Sequence, residues 1–206
     1  MPYRFQFFSG NNAHPPKVLR FQAEMPIHRC TANTKNNTRC TKRQYMAGPM
    51  CWIHTLYNEQ LKTKVSHIAG MPPGGKGLFA QDPREAPNAI LFRPGDQICP
   101  YVGQTITNNQ LTQRYGADHT APYACRKTVN AIEDCGVVRG IGSYANRANN
   151  PAHNNGRFVY NGVTHTINIK ATKNIRNGVE ITCPYGAQYV NGERLYPSDH
   201  STVYHR

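Results

Sequence analysis

Apolar residues recur at a helical spacing in one part of the chain and in short, punctuated runs in the rest. Ile53, Tyr57, Leu61, Val65 and Ile68 fall three or four residues apart, which predicts a helix with one buried face that ends at Gly70. Met71-Pro72-Pro73-Gly74-Gly75 then marks a boundary, so residues 56–73 read as a linking helix and its terminator. From Gly75 the runs are short and divided by Gly, Pro and Asn. Residues 75–80 read as a glycine-flanked turn with a strand start, and 89–104 as a strand–turn–strand unit around Pro94-Gly95-Asp96. A polar stretch extends to about residue 120. After residues 122–155, the segment 165–186 reads as two strands joined by a turn. In the second, Val179, Ile181 and Cys183 alternate with Glu180 and Thr182 until Pro184 stops the ladder before Tyr185-Gly186. The expected class is mainly β with short helices (α+β).

Composition agrees with that pattern. Seventeen Gly and fifteen Pro in 206 residues favour a loop-rich, strand-rich domain over a helical bundle. The length suits one ordinary domain plus a small accessory module. No apolar run approaches a membrane span, and the start, MPYRFQFFSGNNAHPP, has no apolar core or cleavage site of a secretory signal. An intracellular protein is therefore expected. The formal charge of +13 is uneven: residues 1–70 carry ten basic and two acidic side chains. A basic N-terminal third suits a polyanionic partner, and solubility is the alternative explanation. Seven cysteines without an export signal point to reduced thiols or metal ligands, not a disulfide framework.

Four residues stand out as metal ligands. Cys30, Cys40, Cys51 and His54 follow a C-x9-C-x10-C-x2-H pattern within 28–55, and zinc takes four such N/S ligands tetrahedrally in a closed structural site. The segment holds few apolar residues of its own, so a metal would have to supply its folding energy. It resembles small Cys3His zinc modules, with His28 as a competing ligand. Scattered reduced cysteines in a linker are the alternative. Arg29, Lys35, Arg39, Lys42 and Arg43 lie in or beside it, which favours a docking surface over a catalytic site.

Residues 75–80, GKGLFA, lack the G-K-[ST] end of a phosphate loop and the G-x-G-x-x-G spacing, so neither nucleotide fingerprint applies. Taken with three later blocks, however, this one resembles the SET-domain protein lysine methyltransferases over residues 74–190. Gly75 to Ala80 matches the family's opening G-x-G-[LIV]-[FW]-[AS]. Gly95, Ile98, Tyr101 and Gly103 match the second block. Asp134 and Asn146 match the third loosely, with Ser143 and Tyr144 standing for its Arg and Phe. Ile175, Gly178, Glu180, Ile181, Thr182, Tyr185 and Gly186 match the fourth. The departures are Arg147 for the usual His, Val179 for the first Glu, and Arg139-Gly140 for a Gly-Asn pair. No Cys cluster follows Tyr185; a tail with Tyr189, Tyr196 and Tyr204 stands there instead. The compact form is similar to SET enzymes of large DNA viruses and divergent eukaryotic members.

The resemblance implies a SET-type β-clip fold behind the zinc module, and S-adenosylmethionine as methyl donor. It implies Tyr185 beside the transferred methyl, Tyr101 along the lysine channel, and Cys183 as a small channel residue that leaves room for more than one methyl. The cofactor would be held by Lys76, Gly77, Leu78, Phe79, Asn146 and Arg147, with Tyr123 as a further contact. Histone tails in nucleosomes are the implied substrate, nucleosomal DNA the implied partner of the basic third, and the nucleus or a viral particle the implied location. A catalytically silent SET-like protein that binds chromatin or nucleic acid is the other reading, favoured by Arg147 and Val179. Taken singly, Tyr101 is also a strand aromatic, Asn146 a loop asparagine and Glu180 an exposed strand residue.

Overall fold

The computed structural model describes residues 28–44, 48–69, 75–115, 123–136 and 138–185, with a short antiparallel pairing of β1 (Arg4–Phe5) and β2 (Leu19–Arg20). The Pro/Gly boundary at 70–74, Gly186 and the tyrosine-bearing tail at 191–206 lie outside the described residues, as does most of the extension 1–27. One compact unit comprises Pro26–Val102 and Arg139–Pro184; the other comprises Met1–Met25, Gly103–Val138 and Tyr185–Arg206.

The larger unit opens with a hairpin of β3 (His28–Arg29) and β4 (Arg43–Gln44), extended by the Asn33–Arg39 bridge and closed at Thr34–Thr38, where Asn37 takes a left-handed φ of 55°. The helix expected over residues 56–70 is shorter and earlier: α1 spans Trp52–Glu59 and stops at Gln60, whose φ of 58° is left-handed. Leu61–Val65 is not helical but strand β5. A spacing of four residues also satisfies a period of two, and the antiparallel ladder from Leu61–Ala80 to Val65–Lys76 decides for the strand. Ile53 and Tyr57, expected on a buried face, are exposed at 47% and 40%.

Strand β6 (Lys76–Ala80) is the middle of a three-stranded sheet, between β5 and β15 (Glu180–Ile181). Leu78, Phe79 and Ala80 are fully buried, as the uninterrupted apolar run requires of a strand covered on both faces. Burying Leu78 and Phe79 contributes about 1.5–3 kcal/mol each. The Pro94-Gly95 turn does separate two strands, β7 (Ile90–Phe92) and β8 (Gln97–Tyr101), but they do not pair with each other. The polar stretch after β8 contains β9 (Gln104–Ile106) and a helix that the apolar pattern does not predict, α2 (Asn108–Tyr115). With β10 (Ala124–Thr128) and β11 (Ala131–Asp134) these make up the part of the smaller unit that lies between Gly103 and Val138. Its sheet order is β10-β11-β9, and Ile106, Leu111, Ala124 and Ile132 form its apolar cluster.

In the larger unit β8 pairs with β13 (Thr166–Ala171), which pairs in turn with β12 (Gly156–Asn161). Strand β14 (Ile175–Arg176) pairs with β7. Two 3-10 turns, Ile141–Tyr144 and Pro151–His153, precede β12. The core collects one face from each small sheet: Leu61, Leu78, Phe92, Ile98, Ile169, Ile175 and Ile181. The described fold is thus mainly β with short helices. None of the described helices is long and apolar enough to cross a membrane.

One buried charge ties α1 to this core. Asp82 is 1% exposed and accepts hydrogen bonds from Arg84 N, Nε and Nη2 and from Gln60 Nε2 at 2.7–2.9 Å. The Arg84 side chain holds the Asp82 carboxyl well below the usual carboxylate range, against the opposing effect of burial and with help from the Arg84 N–H and Gln60. A depressed folded-state value stabilises above the unfolded carboxyl's range and is lost as pH falls below it. Asp82→Asn is accordingly expected to cost about 1–3 kcal/mol at pH 7. Melting curves should show the variant losing less stability than the wild type between about pH 4 and pH 2.

Candidate functional site

The hairpin explains how distant cysteines meet. Cys30 N–H donates to Lys42 O and Cys40 N–H to Ala32 O, so the first two ligands sit on facing legs. Thr31 N–H and Oγ1 both donate to Pro49 O, which brings in the segment that carries Cys51, the residue capping α1. Cys30 and Cys51 Sγ lie 3.4 and 3.3 Å from His54 Nδ1, and all four ligand atoms fall within 4.8 Å of one another. Tetrahedral zinc, with bonds of about 2.3 Å to sulfur and about 2.0 Å to nitrogen, separates S from N by about 3.5 Å. The three cysteines are buried, and Cys51 N–H and Lys42 N–H donate to the sulfurs of Cys30 and Cys40 at 3.2 and 3.5 Å. Burial alone would raise the Cys30 thiol; the Cys51 N–H leads the opposing hydrogen bonds, and the value falls to about 7. Burial raises that of Cys51. The donor set and spacing fit a closed metal site. The side chain of His28 lies outside the described set.

Two of the five basic residues expected to form a docking surface serve the hairpin itself. Arg29 Nε and Nη2 donate to Cys40 O and Arg39 O at 2.8 Å, and Arg39 Nε and Nη2 donate to Cys30 O and Arg29 O at 3.1 and 3.4 Å. Each fork holds carbonyls at a ligand on the opposite leg. Lys35, Lys42 and Arg43 are exposed.

The second constellation gathers residues far apart in sequence at one end of β6. Asn146 Nδ2 donates to Lys76 O at 2.9 Å and to Glu180 Oε1 at 3.2 Å. Glu180 Oε1 also accepts Ser66 Oγ at 2.7 Å, and Oε2 accepts His67 N–H at 2.9 Å. Gly77 faces this carboxylate so closely that a Cβ would sit 2.1 Å from Oε1, which only glycine avoids. Leu78 and Phe79 are paired on both sides, to β5 and β15, so their backbones belong to the sheet and the Lys76–Gly77 end is where Asn146 lies. Arg147 is half-buried.

A third element, missed in the sequence, holds the segment leading to Tyr185. Asn155 is buried; its N–H donates to Thr182 O, its Oδ1 accepts Thr182 N–H and its Nδ2 donates to Glu180 O. Its side chain thus takes the place of a neighbouring strand. Asn146 lies on the same segment through a parallel bridge to Thr182, and its carbonyl accepts Cys183 N–H at 2.8 Å. Nothing in the run of asparagines between 146 and 155 marks which one turns inward.

Cys183 is fully buried in the core, and burial pushes its thiol well up. A Cβ on Gly156 would come within 2.9 Å of its sulfur. Its side chain therefore packs inward, backing the strand end. Tyr101 is 1% exposed and meets Phe158 edge-on at 5.4 Å between ring centres. Lys76, Gly77, Leu78, Phe79, Asn146, Arg147, Tyr101 and Cys183 all belong to the larger unit. Tyr123 belongs to the smaller one, where its carbonyl accepts Cys135 N–H, and half-buried Tyr185 is the last described residue.

No family model matches the chain, and no curated protein does. Solved structures do. A ctPRC2 complex with H3K27me3 and H3K27M is similar at 18% identity over 75% of this chain and 17% of that one, with a TM-score of 0.48. An autoinhibited ctPRC2 bound to S-adenosylmethionine is similar at 20% identity over 73% and 17%, with a TM-score of 0.45. The methyltransferase domain of human PR domain-containing protein 2 is similar at 16% identity over 71% of this chain and 97% of that one, with a TM-score of 0.46. This chain thus spans about a sixth of the length of the two ctPRC2 chains it matches.

Proposed function

We propose that the chain is an S-adenosylmethionine-dependent protein lysine methyltransferase acting on histone tails in nucleosomes, with residues 74–190 as its SET domain and 28–55 as a structural zinc module. One observation carries this reading: Gly77, Asn146 and Glu180, from three separate sequence blocks, meet through direct contacts at the end of β6. Asn146 spends both amide protons there, so its Oδ1 is left as an acceptor for an ammonium or amine, groups S-adenosylmethionine carries. Lys76, Gly77, Leu78, Phe79 and Arg147 would line that cofactor's place, and the family resemblance adds Tyr123 as a further cofactor residue. When bound, the cofactor supplies a methyl group on a sulfonium.

The side chains then have defined tasks. A lysine of ordinary pKa near 10.4 arrives protonated, and an apolar channel lowers that value, so the proton leaves to water before the amine reacts. The Tyr101 ring would wall the channel while Cys183 backs it from the core. The Tyr185 hydroxyl would orient the amine without carrying charge. Exposed Lys35, Lys42 and Arg43 would meet nucleosomal DNA and place the enzyme at chromatin.

Methyl transfer measured on intact nucleosomes and on free histone peptides tests the reading. The expected result is faster transfer to nucleosomes, with a strong salt dependence, and a loss of about a hundredfold in rate for Tyr185→Phe. Equal, salt-insensitive rates would remove the nucleosome part. A folded wild-type protein that methylates no histone substrate would favour the silent chromatin-binding reading instead.

A further inference from the structure

We propose that Glu180 is the positioning residue of the candidate cofactor site: its carboxylate fixes the amide of Asn146 with the oxygen turned outward. This rests on the methyltransferase reading. An asparagine side chain can turn over about its last bond, exchanging an acceptor for a donor at little cost when nothing opposes it. Here two acceptors oppose it. The Asn146 NH2 group bonds to Lys76 O on one side and to Glu180 Oε1 on the other. Turned over, Oδ1 would face a carbonyl and a carboxylate with no proton between them. The site therefore offers an incoming ligand an acceptor only, and among the described residues Oδ1 accepts nothing.

The carboxylate is itself held. Ser66 Oγ and His67 N–H donate to its two oxygens, and Ser66 Oγ accepts from Ile68 N–H, so the residues after β5 form its cradle. Gly77 reserves the space beside it, since a Cβ there would stand 2.1 Å from Oε1 and 2.7 Å from Cδ. A glutamate that only fastened this cradle to β15 would require neither the bond to Asn146 nor its alignment with Lys76 O. The neutral isostere tests the difference. In Glu180→Gln one end of the new side chain becomes an NH2 group. It faces either the N–H of His67 or the NH2 of Asn146, so the set of three donors is broken in both orientations.

The experiment is a double-mutant cycle on S-adenosylmethionine affinity, by titration calorimetry on the full chain, with melting curves to establish folding. Wild type, Glu180→Gln, Asn146→Ala and the double variant are compared. Each single substitution is expected to weaken binding by about tenfold, and the double variant to bind no more weakly than Asn146→Ala alone. An undiminished effect of Glu180→Gln in the Asn146→Ala background, or no effect in the wild type, overturns the positioning role while leaving the methyltransferase reading standing. A folded wild type that does not bind S-adenosylmethionine removes both. Gly77→Ala displaces the carboxylate without removing it and provides the same comparison if Glu180→Gln does not fold.

Discussion

Replacing Cys51 by serine, or stripping zinc with a chelator, is expected to unfold residues 28–54. Structural zinc contributes about 10–16 kcal/mol of apparent binding free energy to small modules of this kind. Little else holds this one. Its buried apolar cluster is Cys30, Cys40 and Cys51 themselves, with Ala32 and Met50 partly buried against them. Without the ion three buried sulfurs would face one another, held by N–H donors and the forks of Arg29 and Arg39. Metal analysis should return one zinc per chain, and limited proteolysis after chelation should cut first between residues 30 and 51. A chelated protein that keeps its protection there would show that the hairpin stands without metal.

The second large effect is expected at Asn155. Asn155→Ala removes the side chain that pairs Thr182 N–H and Glu180 O, leaving buried backbone groups without partners at about 1–3 kcal/mol each. A total loss of about 2–5 kcal/mol follows. Because this segment carries Glu180 and leads into Tyr185, cofactor affinity should fall along with the denaturation midpoint. Asn155→Asp retains the acceptor for Thr182 N–H but sets a carboxylate against Glu180 O, and should recover little. Denaturant unfolding of both variants measures this; a loss under about 0.5 kcal/mol for Asn155→Ala would mean the segment is held by other contacts.

Much of this architecture could be read from residue types. The Pro94-Gly95 turn between β7 and β8 was legible because a left-handed turn position is a local property, whereas residues 165–186, read as two strands, fold as β13, β14 and β15. The gathering of Cys30, Cys40, Cys51 and His54 was legible because three cysteines and a histidine at such spacing form a donor set that fits zinc. What the sequence left open depended on partners distant in the chain. Leu61 and Val65 fit a helix and a strand equally, and only the ladder with β6 separates them. Among the described side chains of the polar helix α2 only Leu111 is buried, so its apolar pattern was nearly silent. Asn155 and Ser66 are ordinary polar residues until the strand end at 180–182 is brought beside them. Cys183 was expected along a channel; its packing against Gly156 depends on where β12 begins.

The central position of β6 bears on how the chain folds. Its two neighbours differ greatly in sequence distance: β5 ends at Val65, close before it, while β15 begins at Glu180, a hundred residues later. During synthesis β5 and β6 can form a hairpin early, but one edge of β6 stays open until the ribosome releases Glu180 and Ile181. Loop-closure entropy makes such a late, long-range pairing slow. Throughout that interval Leu78 and Phe79 lie on an apolar strand with an unsatisfied edge, the kind of surface on which nascent chains aggregate or recruit chaperones.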